Sequence, residues 1–217
     1  MRVLATKRHR IPSTARIRSG QNGLETLRVF RHLFPLCRTL LTLALACSLF
    51  MPAAMANTPA TGEKAPDFTL STPSGASVTL STELTKGITV LLILRGFPGY
   101  QCPYCQKQVH DFLVHASDFA AKKANVLLVY PGPPAELDRH AKDFLAKQEL
   151  PDNIHLVTDP DYKVTNLYGL RWDAPHETAY PSTFILDKSG KILFEKISRE
   201  HGDRTTATQV LDQIAAN

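Results

Sequence analysis

The chain is short of sulfur, of tryptophan and, over its first quarter, of negative charge. It has four cysteines, three methionines and one tryptophan in 217 residues. A zinc site needs more ligands than Cys102 and Cys105 supply. No histidine lies at a short, fixed spacing that would complete one, since His110 and His115 fall on different faces of one helix. No apolar run approaches the roughly 20 residues that cross a bilayer. Acidic residues are nearly missing before position 57, where Glu25 stands alone against nine of the 25 lysines and arginines; the remainder carries 16 basic and 19 acidic residues. The sequence pI of about 9.1 therefore belongs to the N-terminal stretch, which removes the case for a basic nucleic-acid-binding face. With 43% hydrophobic residues the chain can bury one good core but hardly two, and it shows no internal repeat or low-complexity tract.

The basic stretch reads as an export signal. Arg28, Arg31 and Arg38 precede the apolar run Thr39 to Met51, and Pro52 and the small-residue pattern Ala54-Met55-Ala56 follow it. The run has the length of a signal-peptide core. Residues 1–56 are expected to be a signal peptide with a long basic n-region, cleaved after Ala56. Two alternatives stay open: acylation of Cys47 as a lipid anchor, and an uncleaved signal anchor. Each places the domain outside the cytoplasm, first of all in a bacterial periplasm, where disulfides persist. Membrane contact is then confined to the export signal or the lipid anchor, and cleavage leaves Cys102 and Cys105 as the only cysteines.

Those two thiols lie three residues apart on an expected strand-to-helix turn. Before them, Ile88 to Leu94 is an apolar, β-branched run of the kind that makes a buried strand. After them, Val109, Phe112, Leu113 and Phe119 recur near helical spacing, with Lys107, Asp111 and Lys122 for the wet side. Cys102 thus meets the unpaired N–H groups and the positive dipole end of a first helical turn, which favour thiolate over thiol. Cys105, one turn later, is expected to be more buried. This division suits dithiol–disulfide exchange, with Cys102 attacking and Cys105 resolving, and needs no cofactor. Pro103 costs nothing at the first helical position, where its N–H would be unpaired anyway.

The rest of the chain is expected to fold around that turn. Residues 57–65 read as a loose, flexible arm before a domain over 66–217. Pro66 to Leu70 and Ser77 to Leu80 form a hairpin, and Ser81 to Gly87 a brief helix. A second apolar strand runs from Ala124 to Tyr130, ended by Pro131. A helix with Leu137, Ala141, Phe144 and Leu145 on one face follows, then a short strand Ile154 to Val157 and a helix from Asp159 toward Leu167. Thr183 to Asp187 and Ile192 to Glu195 flank a tight turn, and Thr205 to Ile214 is a final helix. A βαβ half followed by a ββα half gives the α/β, thioredoxin-like fold, a central mixed sheet flanked by helices with an N-terminal β-hairpin extension.

Pro181 precedes Ser182-Thr183-Phe184, where a thioredoxin fold places a cis-proline facing the cysteines. Lacking an N–H, it would leave neighbouring backbone free for a docking partner; otherwise it is an ordinary edge proline. Tyr100, Tyr104 and Trp172 are candidates to line that groove, or simply to pack around the turn. Arg171 and Glu177 are candidates for tuning a thiol, or surface ion-pair partners.

Over about residues 62 to 215 these features resemble the redoxin superfamily: peroxiredoxins of the AhpC/TSA group and extracytoplasmic thioredoxin-like reductases of the TlpA/ResA type. Gly62 to Leu70 looks like the first strand of both groups, and Thr183 to Ile192 like their shared hairpin. Cys102-Pro103 is similar to the peroxidatic pair, while Cys102-Pro103-Tyr104-Cys105 matches the glutaredoxin motif. The resemblance implies that a peroxiredoxin would carry a proline, a threonine or serine, and an arginine where this chain has Arg95, Gly99 and Pro181. The hydroxyl that would orient a peroxide is missing, although Arg95 can still supply positive charge. The expected function is therefore an extracytoplasmic thiol-dependent oxidoreductase acting on protein thiols or disulfides and served by an electron-donor thiol protein. The alternatives are a thiol peroxidase acting on hydroperoxides through Cys102 and a copper chaperone holding metal through both thiols.

Overall fold

A computed structural model of the protein describes residues 58–146 and 148–216. The expected signal peptide and Cys47 lie outside the described residues. Among the described residues seven strands form one sheet: β1 (Thr69–Ser71), β2 (Ser77–Thr79), β3 (Ile88–Ile93), β4 (Ala124–Gly132), β5 (Ile154–Pro160), β6 (Ser182–Leu186) and β7 (Ile192–Ile197). Their spatial order is β2-β1-β5-β4-β3-β6-β7. The pairs β3–β4 and β4–β5 are parallel, and β3–β6, β6–β7, β1–β2 and β1–β5 are antiparallel. The sheet is mixed because two helical crossovers build its centre and hairpins build its edges.

Among the described residues six helices cover the sheet: α1 (Leu80–Lys86), α2 (Pro103–Val114), α3 (Ala116–Ala121), α4 (Leu137–Leu145), α5 (Lys163–Leu167) and α6 (Ala207–Ala216). The period-two alternation of the central strands sorts the core into two layers. Val90, Leu92 and Leu94 of the β3 run, with Val126, Leu128 and Tyr130 of β4, pack with Val109, Phe112, Phe144 and Val210 from α2, α4 and α6. Leu91, Ile93, Leu127 and Val129 face the other way, onto Leu80, Leu84, Val164 and Tyr168. Both cysteines belong to the first layer. The central strands, apolar on both faces, follow from burial on both sides.

Three expectations are corrected. The helix expected to run through Phe119 breaks at His115, and α3 starts at Ala116. β4 does not end before Pro131 but continues to Gly132, paired with Pro160. Residues 62–65, expected to be a loose arm, are bonded to the segment that opens β7: Gly62 N–H donates to Ile192 O (2.8 Å), Ile192 N–H to Glu63 O (2.9 Å) and Ala65 N–H to Gly190 O (2.9 Å). The polarity that reads as looseness belongs to side chains, whereas the backbone of this segment pairs across the chain. The N-terminal hairpin likewise joins the sheet, through Ser71 opposite Thr158.

The loop between β3 and α2 is held by β4, whose carbonyls accept from loop N–H groups beyond the end of β3. Leu94 N–H reaches Val129 O and Phe97 N–H reaches Pro131 O, each at 2.9 Å. Between them Gly96 has φ +71, and a Cβ there would lie 1.9 Å from the Pro131 carbonyl oxygen. Gly96→Ala combines a left-handed backbone with an overlap on main chain, and is expected to cost about 3 kcal/mol. Urea unfolding of the reduced protein measures it; a loss under about 1 kcal/mol would show that the loop can shift at little cost.

Candidate active site

Cys102 is the N-cap of α2, with extended backbone (φ −77, ψ 113), and its Sγ accepts the Cys105 N–H at 3.4 Å. Pro103 occupies the first helical position, as the sequence predicts. Both thiols are buried, Cys102 1% and Cys105 0% exposed. The hydrogen bond from the Cys105 thiol and its N–H hold Cys102 down to about 5 against the burial that pushes it up, and the Arg204 and Arg95 guanidinium groups add to the effect. Burial pushes Cys105 well above the usual thiol range, and its bond to Cys102 adds to this. One thiol is prepared as thiolate and the other as thiol, one helical turn apart.

Two arginines flank Cys102, and the sequence points to only one of them. Arg95, 2% exposed although it carries charge, donates through Nε to Glu177 Oε2 (2.6 Å), through Nη1 to Tyr100 Oη (2.9 Å) and through Nη2 to the His176 carbonyl (2.6 Å). These partners satisfy a buried guanidinium, which otherwise carries a heavy desolvation cost. The second is Arg204, between β7 and α6. Its Nη2 lies 3.9 Å from Cys102 Sγ, its Nη1 donates to Gln108 Oε1 (3.1 Å) and its Nε to the His201 carbonyl (2.7 Å). Gln108 in turn donates to Thr205 O (3.1 Å), whose hydroxyl meets that of Thr183 on β6 (2.7 Å). Arg204 sits 102 positions from Cys102 in a charged segment that reads as a polar loop, and no spacing signal marks it.

The other candidates divide into those linked to Arg95 or His201 and one that is not. Tyr100 is tied to Arg95 and is 47% exposed; Tyr104 is 50% exposed and its ring lies 6.3 Å from that of His201. Trp172 stacks on Tyr180 at 4.8 Å and approaches His201 at 5.2 Å. Glu177 pairs with Arg95 and accepts from His201 Nε2 at 2.9 Å. Arg171 is engaged elsewhere: its guanidinium stacks 4.1 Å from the Tyr162 ring centroid and donates to the carbonyls of Trp172, Glu177 and Thr178. It clips a turn rather than tuning a thiol.

Pro181 is buried and opens β6, beside the end of β3 where Ser182 faces Ile93. The free backbone expected around it is not there. Tyr180 N–H donates to Leu170 O (2.9 Å), and the Pro181 carbonyl accepts from Ser198 N–H (2.8 Å). The 170–180 turn, bridged between Arg171 and Ala179, has taken the pairing positions that a docking strand would use. On the inner side of the site, Tyr130 Oη donates to Gln101 Oε1 (2.8 Å) and Gln101 Nε2 to the His140 carbonyl (2.9 Å), while Phe97 stacks on His140 at 3.6 Å. This cluster, unsignalled in the sequence, ties the cysteine loop to β4 and α4. Among the described residues no group of three or more His, Cys, Asp or Glu side chains is placed to hold a metal ion. No helix among them is long and apolar enough to cross a membrane.

A βαβ–ββα sheet with one buried thiol capping its first crossover helix and a second one turn on is the frame of a thioredoxin-fold thiol oxidoreductase. The sequence pattern of the AhpC/TSA family matches residues 61–194, and the chain belongs to that family. It is 30% identical over 137 residues to a Mycobacterium tuberculosis protein named as a peroxiredoxin, a match covering 61% of this chain and 81% of the relative. Among solved structures, peroxidoxin BcpB of M. tuberculosis superposes with TM-score 0.60 at 23% identity, covering 72% of this chain and 96% of that one. A Chlorobium tepidum protein described as a thiol:disulfide interchange protein, DsbE, superposes with TM-score 0.53 at 24% identity, covering 71% and 98%. The two structures share the fold. Redoxin-family proteins act on thiols, disulfides or peroxides, and this chain is an oxidoreductase of that kind.

Proposed function

We propose that the protein is an exported thiol–disulfide oxidoreductase working through Cys102 and Cys105. The observation that carries this reading is the opposed poise of two thiols within one helical turn, Cys102 held down to about 5 and Cys105 pushed well above the usual range. The Cys102 thiolate attacks one sulfur of a partner disulfide; a new S–S bond forms, the partner's bond breaks, and its second sulfur leaves as thiolate and takes a proton from water. Cys105 then loses its proton, attacks Cys102 Sγ and releases the partner's first sulfur. The partner is reduced by two electrons, the pair is oxidised to a disulfide, and a dithiol donor protein returns it to the reduced state. Tyr100 and Tyr104 offer exposed aromatic surface to the partner, and Trp172 meets the same His201 ring as Tyr104. Export rests on the leader features of residues 1–56, and the periplasm is the compartment they fit.

The loop geometry argues against the hydroxyl-assisted peroxide site of the family. Gly99 occupies the place of the hydroxyl residue with φ +110, a region a β-branched threonine does not adopt. One observation favours a second substrate all the same: Cys102 is 1% exposed, a depth that a peroxide reaches more easily than a protein disulfide does. There the thiolate would take the terminal oxygen, releasing water or an alcohol, and Cys105 would condense with the resulting sulfenic acid to the same disulfide and a second water. Stopped-flow mixing of the reduced protein with a disulfide-bonded protein and, separately, with hydrogen peroxide decides between them. Disulfide exchange at least about tenfold faster supports the proposal; the reverse order assigns the protein to peroxide reduction.

A further inference from the structure

We propose that Glu177 and His201 form a positioning bracket that holds the guanidinium groups of Arg95 and Arg204 against the Cys102 sulfur. The inference rests on the reading of Cys102 as the attacking thiolate. The two arginines come from distant parts of the chain, one just after β3 and the other just before α6, and each ends a long flexible side chain. Aiming them costs rotamer entropy unless other groups fix them. The carboxylate of Glu177 does so with both oxygens: Oε2 accepts from Arg95 Nε at 2.6 Å, and Oε1 accepts from His201 Nε2 at 2.9 Å. The carbonyl of His201 then accepts from Arg204 Nε at 2.7 Å, which with Gln108 on Nη1 leaves Nη2 directed at Cys102 Sγ, 3.9 Å away. The turn that carries Glu177 is itself shaped for this. His176 adopts φ +60, and its carbonyl takes Arg95 Nη2 at 2.6 Å. The result is a continuous chain of contacts from one guanidinium to the other, with its carboxylate 11% exposed.

The sign of the effect separates positioning from mere proximity. The charged or titratable groups that act on Cys102 are Cys105, Arg95 and Arg204, and Tyr130 interacts with both thiols. A carboxylate near this set is by simple Coulomb attraction and repulsion an unwelcome neighbour of a thiolate, so deleting its charge should strengthen the thiolate. If Glu177 instead holds the arginines in place, deleting it weakens the thiolate.

The test follows alkylation of the reduced, full-length protein by iodoacetamide from pH 4 to pH 9 in wild type, Glu177→Gln, His201→Gln and His201→Ala. The expected result is a midpoint raised by about one pH unit in Glu177→Gln, seen as a rate about tenfold lower at pH 5 and unchanged at pH 9. His201→Gln keeps an N–H donor for Glu177 and titrates like wild type, while His201→Ala moves upward with Glu177→Gln. A midpoint that stays or falls in Glu177→Gln, or His201→Ala titrating like wild type, overturns the bracket; where Glu177→Gln does not fold, the two His201 variants decide. Alkylation requires no partner, so a failure of the disulfide-exchange reading, seen as slow reaction with a disulfide-bonded protein, stays distinct from a failure here.

Discussion

Replacing Cys102 by serine is expected to abolish the first chemical step, lowering the rate with any disulfide or peroxide by at least about 1,000-fold, because a hydroxyl at this site stays protonated at every accessible pH. In the wild type that step should be nearly independent of pH from 9 down to about 6 and fall tenfold per unit below pH 5, following the thiolate held down to about 5 by the Cys105 hydrogen bond and the two arginines. The same depression links reactivity to stability. An acid whose value is lower in the folded than in the unfolded chain stabilises the fold above the unfolded value, near 8.5 for a thiol, and that contribution disappears as pH falls through the folded value. The reduced protein should therefore lose stability progressively between about pH 8.5 and pH 5 relative to Cys102→Ser. Rates of disulfide reduction and urea midpoints across this range measure both effects. A rate that tracks an ordinary thiol, half-maximal near pH 8.5, would refute the assignment of Cys102.

The second large effect belongs to Cys105. Cys105→Ser should leave the first step within a few-fold of wild type, since a serine hydroxyl can still donate to the Cys102 sulfur, but should stop release of the partner. Mixed disulfides then accumulate and multiple turnover falls by at least about 100-fold. Cys105→Ala, lacking the donor, should in addition raise the Cys102 midpoint, because the Cys105 hydrogen bond is the largest influence holding it down. Intact mass under non-reducing conditions detects the adduct. Finding none while a disulfide-bonded substrate is still consumed would mean that another group resolves the intermediate.

The parts legible in the sequence are those governed by local pattern. Ile88 to Leu94 alternates its side chains between two apolar layers and could only be a central strand; Pro103 and the apolar positions after it mark where α2 begins. The end of that helix was not legible, since no breaker stands near His115 and the turn there is closed by its own carbonyl, which accepts from Asp118 and Phe119. Pro181 shows the opposite failure. Its missing N–H is plain from sequence, but the pairing of its neighbours is decided by Leu170 and Ser198, from two other segments. Arg171 and Glu177, six residues apart and read together, stay joined through the Glu177 carbonyl, but their side chains go to different partners. Glu177 turns to Arg95 and His201, and Arg171 to main-chain carbonyls and Tyr162.

By itself the sequence determined the family, the sheet's central strands and the helix that carries the thiols, and it suggested the division of labour proposed for Cys102 and Cys105, because each follows from hydrophobic period, helix-terminus electrostatics or a contiguous motif. Only the tertiary structure decided which charges stand beside the thiolate. Arg204 reaches Cys102 across 102 positions, Arg95 is fixed by a carboxylate 82 positions away, and His201 connects to that carboxylate from a third segment. Such contacts depend on how the strands and helices pack, and no local preference of the chain records them.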